Sequence, residues 1–250
     1  MSCCVKIVRS DKIKQIGRDF MRIDGLQKMT LLDFPGKVAC TVFTGGCNFR
    51  CPFCHNALLV TELPENPDYT TDEVLYFLKK RAGLLDGVAI TGGEPLMNPE
   101  ISDFIRDIRK LGYSVKLDTN GSYPDRLKKI VADGLVDYVA MDIKNCKEKY
   151  AETVGLREYD ISKVEESVEF LKSDAVDYEF RTTVVKEFHT VEDIRKAAQW
   201  IEGAKRYFLQ NFVDSGNLID GSVTGVDKSV MLEMQKVVAD FVPKTEIRGI

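Results

Sequence analysis

The chain has 250 residues, of which 44% are hydrophobic and 30% are charged, and these values exclude a disordered, a collagen-like or a disulfide-scaffold protein. Its formal net charge of −4 gives no general attraction to nucleic acid or to an anionic membrane. No apolar run approaches the ~18 residues of a membrane-spanning helix, and residues 1–20 lack the apolar stretch of a signal peptide. We therefore expect a cytoplasmic protein with no nucleic-acid and no membrane partner.

Predicted strands and helices alternate along the chain. Runs of β-branched and apolar residues that end at turns indicate strands, and apolar residues three or four positions apart indicate helices. From the N-terminus, the predicted elements are the strand Lys37–Thr44, the helix Thr71–Leu85, the strand Gly87–Ile90, the helix Pro99–Leu111, the strand Ser114–Leu117, the helix Pro124–Ala132, the strand Tyr138–Ile143, the helix Ile161–Leu171, the strand Tyr178–Val185, the helix Val191–Ile201, the strand Tyr207–Phe212, the helix Lys228–Phe241 and the short strand Glu246–Ile250. This alternation is typical of successive βαβ units, which form parallel sheets.

Six or seven strands that alternate with helices predict an α/β fold, a partial (β/α)6 TIM-like barrel of parallel strands, because eight repeats cannot be counted. A flat, doubly wound sheet fits the same spacing, and periodicity alone does not separate the two architectures. No linker, repeat or low-complexity tract divides residues 21–250, which we expect to form one domain. Residues 1–20 are basic and weakly periodic, and we expect them to be a dispensable N-terminal extension.

Three of the seven cysteines lie within eight residues of each other. Cys47, Cys51 and Cys54 form a C-x3-C-x2-C pattern directly after the first predicted strand. In a cytoplasmic chain, such clustered thiols indicate metal or redox chemistry rather than disulfide bonds. Three thiolates on one loop can bind three irons of a cubane iron–sulfur cluster and leave the fourth iron open for a substrate or cofactor.

Two other interpretations of these cysteines stay open at this point. A structural zinc site needs four ligands, and although His55 is adjacent, the chain has no second C-x2-C pair. A thioredoxin-like dithiol would use Cys51 and Cys54 and leave Cys47 without a role. The remaining cysteines are expected to have no part in this chemistry; they are Cys3, Cys4, Cys146 and Cys40, the last being a buried strand residue.

Polar motifs follow the next three predicted strands. They are Thr91–Pro95 (TGGEP), Leu117–Gly121 (LDTNG) and Met141–Lys144 (MDIK). Paired glycines allow a ligand to approach the backbone, and a neighbouring carboxylate can receive an ammonium group. Each motif alone is commonly a turn or a helix cap. All of them, however, lie at the carboxyl ends of successive strands, where barrels place their active sites, so together they predict one site shared with the cysteine loop.

The segments Gly25–Lys28, Leu32–Lys37 (LDFPGK) and Gly46–Asn56 (GCNFRCPFCHN) together resemble the radical S-adenosylmethionine (SAM) superfamily. The resemblance extends from Met21 to the C-terminus, and the LDFPGK and CHN segments are similar to those of the activating proteins of anaerobic ribonucleoside-triphosphate reductase and related glycyl radical enzymes. It implies an oxidoreductase in which a reduced cluster passes one electron to SAM and the S–C5′ bond breaks. The 5′-deoxyadenosyl radical that results would take a hydrogen atom from a glycine Cα of a partner enzyme.

The resemblance also implies roles for individual residues, with no catalytic residue beyond the cluster and the SAM site. Cys47, Cys51 and Cys54 would ligate a [4Fe-4S] cluster whose open iron binds the amino and carboxylate groups of SAM. The residues implied around SAM are Phe53 and His55 against the adenosyl group, Gly92, Gly93 and Glu94 around the methionine amino group, Asp118 and Asp142 around a monovalent cation beside the SAM carboxylate, Lys144 near the ribose, and Arg181 facing the cavity. Related activases have a histidine near the adenine, where this chain offers Gln210 or Asn211.

The implied partners are a glycyl radical enzyme, in the first place anaerobic ribonucleotide reductase, and an electron donor of the flavodoxin or ferredoxin type. Residues 56–89 contain no cysteine, so the chain resembles the compact activases that lack an inserted ferredoxin-like segment. Two alternatives remain. One is a small-molecule radical SAM enzyme of the 7-carboxy-7-deazaguanine synthase type, and the other is a non-enzymatic zinc or redox module.

Overall fold

The computed structural model describes residues 21–214 and 216–250. The predicted extension 1–20, with Cys3 and Cys4, lies outside the described residues. The described chain forms an eight-stranded sheet whose strands are adjacent in chain order. These strands are Ile23–Thr30 (β1), Ala39–Thr44 (β2), Gly87–Gly92 (β3), Ser114–Thr119 (β4), Tyr138–Asp142 (β5), Asp177–Val184 (β6), Tyr207–Asn211 (β7) and Thr245–Arg248 (β8).

Strands β2 to β8 pair in parallel, and only β1 runs antiparallel to its neighbour β2 among the described strands. The parallel barrel-type fold is therefore confirmed: β2 to β7 correspond to the six predicted units, and β8 corresponds to the short strand predicted at Glu246–Ile250. The strands of the middle of the sheet are buried on both faces, as in β2 and β5, because helices cover the outer face and side chains fill the inner one.

Helices cross over between the parallel strands, because neighbouring parallel strands need a long connection. They are Leu58–Thr61 (α1), Thr71–Lys80 (α2), Ile101–Lys110 (α3), Pro124–Ala132 (α4), Tyr150–Thr153 (α5), Ser162–Lys172 (α6), Val191–Trp200 (α7) and Lys228–Val238 (α8), with 3-10 turns at Pro95–Met97 and Lys147–Lys149. The apolar side of each long helix packs on the outer face of the sheet; in α3 the buried residues are Ile101, Phe104, Ile105 and Ile108. None of the helices in the described part of the chain is both long enough and apolar enough to cross a bilayer.

Several elements differ from the sequence-based predictions: the short helices α1 and α5 were not predicted, and α3 and α8 are shorter than predicted. Two further differences, in β1 and α2, have a clear physical reason. Strand β1 was not predicted, because the middle of this edge strand is exposed and its pairing with β2 is interrupted by register shifts, so it carries no continuous apolar run. Helix α2 begins at Thr71 as predicted, with a capping box between Thr70 and Glu73, but ends at Lys80 rather than Leu85. Gly83 follows with a φ of +78°, a left-handed conformation that ends the helical path.

Candidate active site

The carboxyl ends of β2 to β7 surround a cavity of about 210 Å³. This is the edge of the sheet at which the sequence motifs were expected to meet. Glu94 and Asn211 do not line the cavity. The predicted residues that do line it are Cys47, Cys51, Phe53, Cys54, His55, Gly92, Gly93, Asp118, Asp142, Lys144, Arg181 and Gln210.

The loop that carries the three cysteines is held in place by the segment that follows β5. The Arg50 amide donates to the carbonyl of Val154 over 2.9 Å. The Phe49 ring packs edge-on against the Tyr159 ring, with centroids 5.1 Å apart. Such contacts fix the backbone between Cys47 and Cys54 before any ligand binds, which lowers the entropic cost of binding one.

The three thiols share the cavity wall, yet no three His, Cys, Asp or Glu side chains in the described ranges lie close enough to bind one common metal ion. A tetrahedral zinc ion needs its ligands to converge on a single point, whereas a cubane cluster accepts each thiolate on a different iron. Burial raises the pKa of Cys47 to about 11 and that of Cys51 to about 12, so thiolates here need a bound cationic centre to stay deprotonated. The donor set fits an iron–sulfur cluster.

Gly92 and Gly93 bring the end of β3 against the start of the cysteine loop. Gly92 has a φ of +119°, and a Cβ on Gly93 would lie 1.8 Å from the carbonyl oxygen of Gly46. The Gly93 amide donates to the Thr44 carbonyl over 2.8 Å, and the next amide donates to Gly46 over 2.8 Å. The glycine pair is therefore required first for contact between two backbone segments of the chain, which was not foreseen from the sequence.

Glu94 is fully buried and turned away from the cavity. Its Oε1 accepts from the Leu96 amide (3.0 Å) and the Thr119 hydroxyl (2.9 Å), and its Oε2 accepts from the Asn120 amide (2.7 Å). Burial raises the pKa of Glu94 to about 7, although these three bonds lower it in part. The Glu94 side chain thus joins the loop after β3 to the loop after β4. Its carboxylate, which was expected to receive the SAM amino group, is instead used by these three internal hydrogen bonds.

Five charged side chains inside the barrel form one network, and four of them line the cavity. Arg181 on β6 bridges two carboxylates: Nη1 lies 3.1 Å from Asp118 Oδ2, and Nε lies 3.1 Å from Asp142 Oδ1. Lys116 pairs with Asp118, and Lys144 pairs with Asp142 over 2.9 Å. Burial acts to raise the pKa of both carboxyls, but Lys144 and Arg181 lower that of Asp142 to about 2, and Arg181 and Lys116 hold that of Asp118 below its usual value. Both carboxylates are ionised at neutral pH.

The ion pairs of Asp142 make stability depend on pH in a defined window. Because its pKa in the folded state, about 2, is below the ordinary value of 3.8, the stabilisation is complete above about pH 4 and is lost as the pH falls towards 2. We expect the difference in unfolding free energy between the wild type and Asp142→Asn to be constant from about pH 5 to pH 7 and to shrink below about pH 4. Urea unfolding of the cluster-free chain measures it, with the exposed Asp240→Asn as control. A difference that persists unchanged to pH 2 would contradict the ion-pair assignment.

Aromatic residues of the cysteine loop connect it to the far side of the sheet. His55 stacks on Phe212 with centroids 5.2 Å apart, and its Nε2 lies 3.0 Å from the carbonyl oxygen of Val213. Phe53 is buried and packs against Phe188 and His189, with centroids 5.8 and 6.3 Å away. The loops after β2, β6 and β7 are thereby joined around the cavity.

The two residues that were open candidates for an adenine contact differ in availability. Asn211 uses both ends of its amide on the backbone of Val226, donating from Nδ2 over 2.9 Å and accepting at Oδ1 over 3.0 Å. Gln210 lines the cavity. Of the two, only Gln210 has a side-chain amide that makes no hydrogen bond within the described part of the chain, so it is the one available to a ligand.

Two asparagines that line the cavity, and one histidine packed behind its wall, had not been assigned a role from the sequence. Asn120 contacts the Cys47 sulfur at 3.8 Å, and the Asn56 amide donates to the Gly92 carbonyl over 3.2 Å. Buried His189 bonds the Lys144 carbonyl through Nε2 over 2.8 Å and lies in the loop that follows β6. The segment Cys54–Asn56 and the motif Leu117–Gly121 contained signals for the two asparagines, whereas the place of His189 depends on tertiary contacts.

Comparison with known proteins agrees with this arrangement. A family model described as the radical SAM superfamily matches residues 41–201 of the chain, which include the cysteine loop and strands β3 to β6. The chain belongs to the radical SAM superfamily. It is therefore an enzyme whose cofactors are a [4Fe-4S] cluster and SAM, and the non-enzymatic zinc or redox module is not supported.

Two curated relatives and one solved structure are similar to this chain. A Methanocaldococcus jannaschii protein named as a glycyl-radical enzyme activating enzyme is 32% identical over 197 residues, covering 76% of this chain and 79% of that protein. The 7-carboxy-7-deazaguanine synthase of Methanopyrus kandleri is 34% identical over 131 residues, covering 44% and 51%. A domain of the pyruvate-formate lyase-activating enzyme of Bacteroides vulgatus superposes with a TM-score of 0.54 at 16% identity, covering 65% and 99%, which shows a shared fold.

Proposed function

We propose that this radical SAM protein is the activating enzyme of a glycyl radical enzyme. When bound, the reduced cluster supplies one electron that cleaves the S–C5′ bond of SAM, and the 5′-deoxyadenosyl radical so formed abstracts a hydrogen atom from a glycine Cα of the partner enzyme. The observation that carries the proposal is that the three cysteines and the polar ends of β3 to β7 line one cavity, in a chain whose relative over 76% of its length has the name of such an activating enzyme.

Different residues of the cavity would bind the cluster and the separate parts of SAM. Cys47, Cys51 and Cys54 would hold the cluster, and the backbone of Gly92 and Gly93 would bind the methionine amino group in place of the enclosed Glu94 carboxylate. The positive groups of Lys144 and Arg181 face the cavity and suit the SAM carboxylate and ribose hydroxyls. Phe53, His55 and Gln210 would enclose the adenosyl group, the first two through ring contacts and the third through its amide.

Exclusion of water follows from the same packing. The loops after β2, β6 and β7 are joined through aromatic contacts beside the cavity, so the ligand would lie between walls that are packed together. A radical formed there is kept from side reactions with solvent.

The finer proposal is that the partner is anaerobic ribonucleoside-triphosphate reductase and that a flavodoxin- or ferredoxin-type protein supplies the electron. It is supported by the LDFPGK segment, Leu32–Lys37, and by the Cys54–Asn56 segment. In the structure, Phe34 of the first segment is buried near Tyr138 at the amino end of the barrel, with ring centroids 6.4 Å apart.

The test is formation of a glycyl radical. The anaerobically reconstituted chain is mixed with SAM, a reductant and anaerobic ribonucleotide reductase, and the doublet signal of a glycyl radical is measured by electron paramagnetic resonance. We expect a signal that depends on SAM and disappears with Cys51→Ala. SAM cleavage without any glycyl radical on the reductase, but with one on another glycyl radical enzyme, would correct the partner only.

A second function has a specific observation in its favour, the 34% identity to a 7-carboxy-7-deazaguanine synthase over 44% of the chain. The same protein preparation can be assayed for 7-carboxy-7-deazaguanine from its tetrahydropterin substrate class. Product without glycyl radical formation on any partner would replace the activase proposal with this one.

A further inference from the structure

Asp118 and Asp142 are the pair implied to hold a monovalent cation. Each of their four carboxylate oxygens already pairs with a cationic side chain of this protein. Asp118 Oδ1 pairs with Lys116, and its Oδ2 pairs with Arg181. Asp142 Oδ1 pairs with Arg181, and its Oδ2 pairs with Lys144. The Arg181 guanidinium therefore already bridges the two carboxylates, and it uses oxygens that an ion bound by this pair would need.

The charge of the network also opposes an added ion. Three cationic side chains face two carboxylates, and the neighbouring buried Glu179 is paired with Arg248, so the network carries a net charge of +1. The side chain of Lys116 is 3% exposed and that of Asp118 is 15% exposed, so water screens these charges only weakly. A sodium or potassium ion would enter a positive environment, whereas a ligand carboxylate would enter a complementary one.

Arg181 has donors left for that carboxylate. Its Nε and Nη1 are used by Asp142 and Asp118, while its Nη2 makes no hydrogen bond to any residue in the described part of the chain. A guanidinium offers five N–H donors in one plane, so two carboxylates and a third acceptor can share it. Both Arg181 and Lys144 line the cavity.

We propose that Arg181 replaces a monovalent metal ion between Asp118 and Asp142, so that this protein binds the carboxylate of SAM through a guanidinium and requires no sodium or potassium ion. The inference rests on the proposed placement of SAM in this cavity. It departs from the cation that resemblance to the pyruvate formate-lyase type of activase implied.

The test measures SAM binding in different salts. The full chain with its reconstituted cluster is titrated with SAM under anaerobic conditions in potassium, sodium or choline chloride at equal ionic strength. Equilibrium dialysis gives the dissociation constant, and the change in the electron paramagnetic resonance spectrum of the reduced cluster reports SAM at the iron. We expect the wild-type dissociation constant to agree within about twofold in the three salts, whereas a rise of tenfold or more in choline chloride overturns the proposal.

Arg181→Met removes the internal cation and leaves the two carboxylates facing each other. We expect its SAM affinity to fall at least tenfold in choline chloride and to recover in part with potassium or sodium ions, which could then bind between Asp118 and Asp142. Arg195→Met removes an arginine of α7 that pairs with Glu192 at the surface, and it should match the wild type in every salt. An Arg181→Met protein that binds SAM as tightly as the wild type, or equally weakly in all salts, would contradict the proposal.

A second experiment uses only the wild type, so its result does not depend on whether Arg181→Met folds. Wild-type crystals soaked in thallium(I), which mimics potassium, should show no anomalous peak between Asp118 and Asp142, and a strong peak there would overturn the proposal. Neither experiment needs a partner enzyme, so the inference can fail while the activase function stands, and the reverse also holds.

Discussion

Replacement of Cys47, Cys51 or Cys54 by alanine should abolish the cluster, and the iron content should fall from about four per chain to near zero. The three thiols lie on one fixed loop in the cavity wall, and loss of one leaves two ligands for a cluster that already has an open iron. Iron and sulfide analysis of anaerobically reconstituted protein measures the change, together with the brown colour of the cluster.

Cys146→Ala is the matched control for these variants. Cys146 is also buried, but its sulfur lies 3.8 Å from Asp193, at the N-terminus of α7 and away from the cavity. It should keep its full iron content. A Cys51→Ala protein that retains a complete cluster and cleaves SAM would show that the ligand assignment is wrong.

Glu94→Ala should destabilise the protein strongly, because it leaves three buried donors without an acceptor. These are the amides of Leu96 and Asn120 and the hydroxyl of Thr119. Each buried donor left unpaired costs roughly 1–3 kcal/mol, so the loss in unfolding free energy should be about 3 kcal/mol or more. Urea unfolding monitored by circular dichroism measures it.

Glu94→Gln separates a structural role from a ligand-binding one. Its amide oxygen still accepts at one end, while the NH2 group faces the Asn120 amide without accepting from it, so its stability should lie between those of the wild type and Glu94→Ala. The exposed Glu169→Ala, which removes a pair with Lys172 on α6, should leave stability unchanged. If Glu94→Ala unfolds like the wild type and only SAM binding suffers, then Glu94 contacts the ligand instead of joining the loops.

The sequence was a good guide to the elements with strong local signals. Buried parallel strands are short apolar runs, and their helices carry a regular apolar face, so α4 was predicted at Pro124–Ala132 with the observed bounds. The exposed edge strand β1 has no such signal, and its existence depends on pairing with β2. Cys40 was expected to be a buried thiol, and it is fully buried in β2.

Within the active site, the sequence by itself determined which residues meet. The cysteine spacing is local, and the carboxyl ends of consecutive parallel strands must share one edge of the sheet, so the order of motifs already places them around one cavity. This reasoning correctly brought together Cys47, Gly92, Asp118 and Asp142.

Only the tertiary structure decided where the side chains of those motifs point and what they pair with. The Glu94 carboxylate accepts from donors 25 and 26 residues away, at the end of β4 and just after it, and Arg181 reaches Asp118 across 63 residues. The Asn211 side chain makes two hydrogen bonds with the backbone of Val226 and does not line the cavity. A motif specifies the chemistry of a side chain, but its direction is set by the competition among all buried donors and acceptors for partners, which is settled only when distant strands pack together.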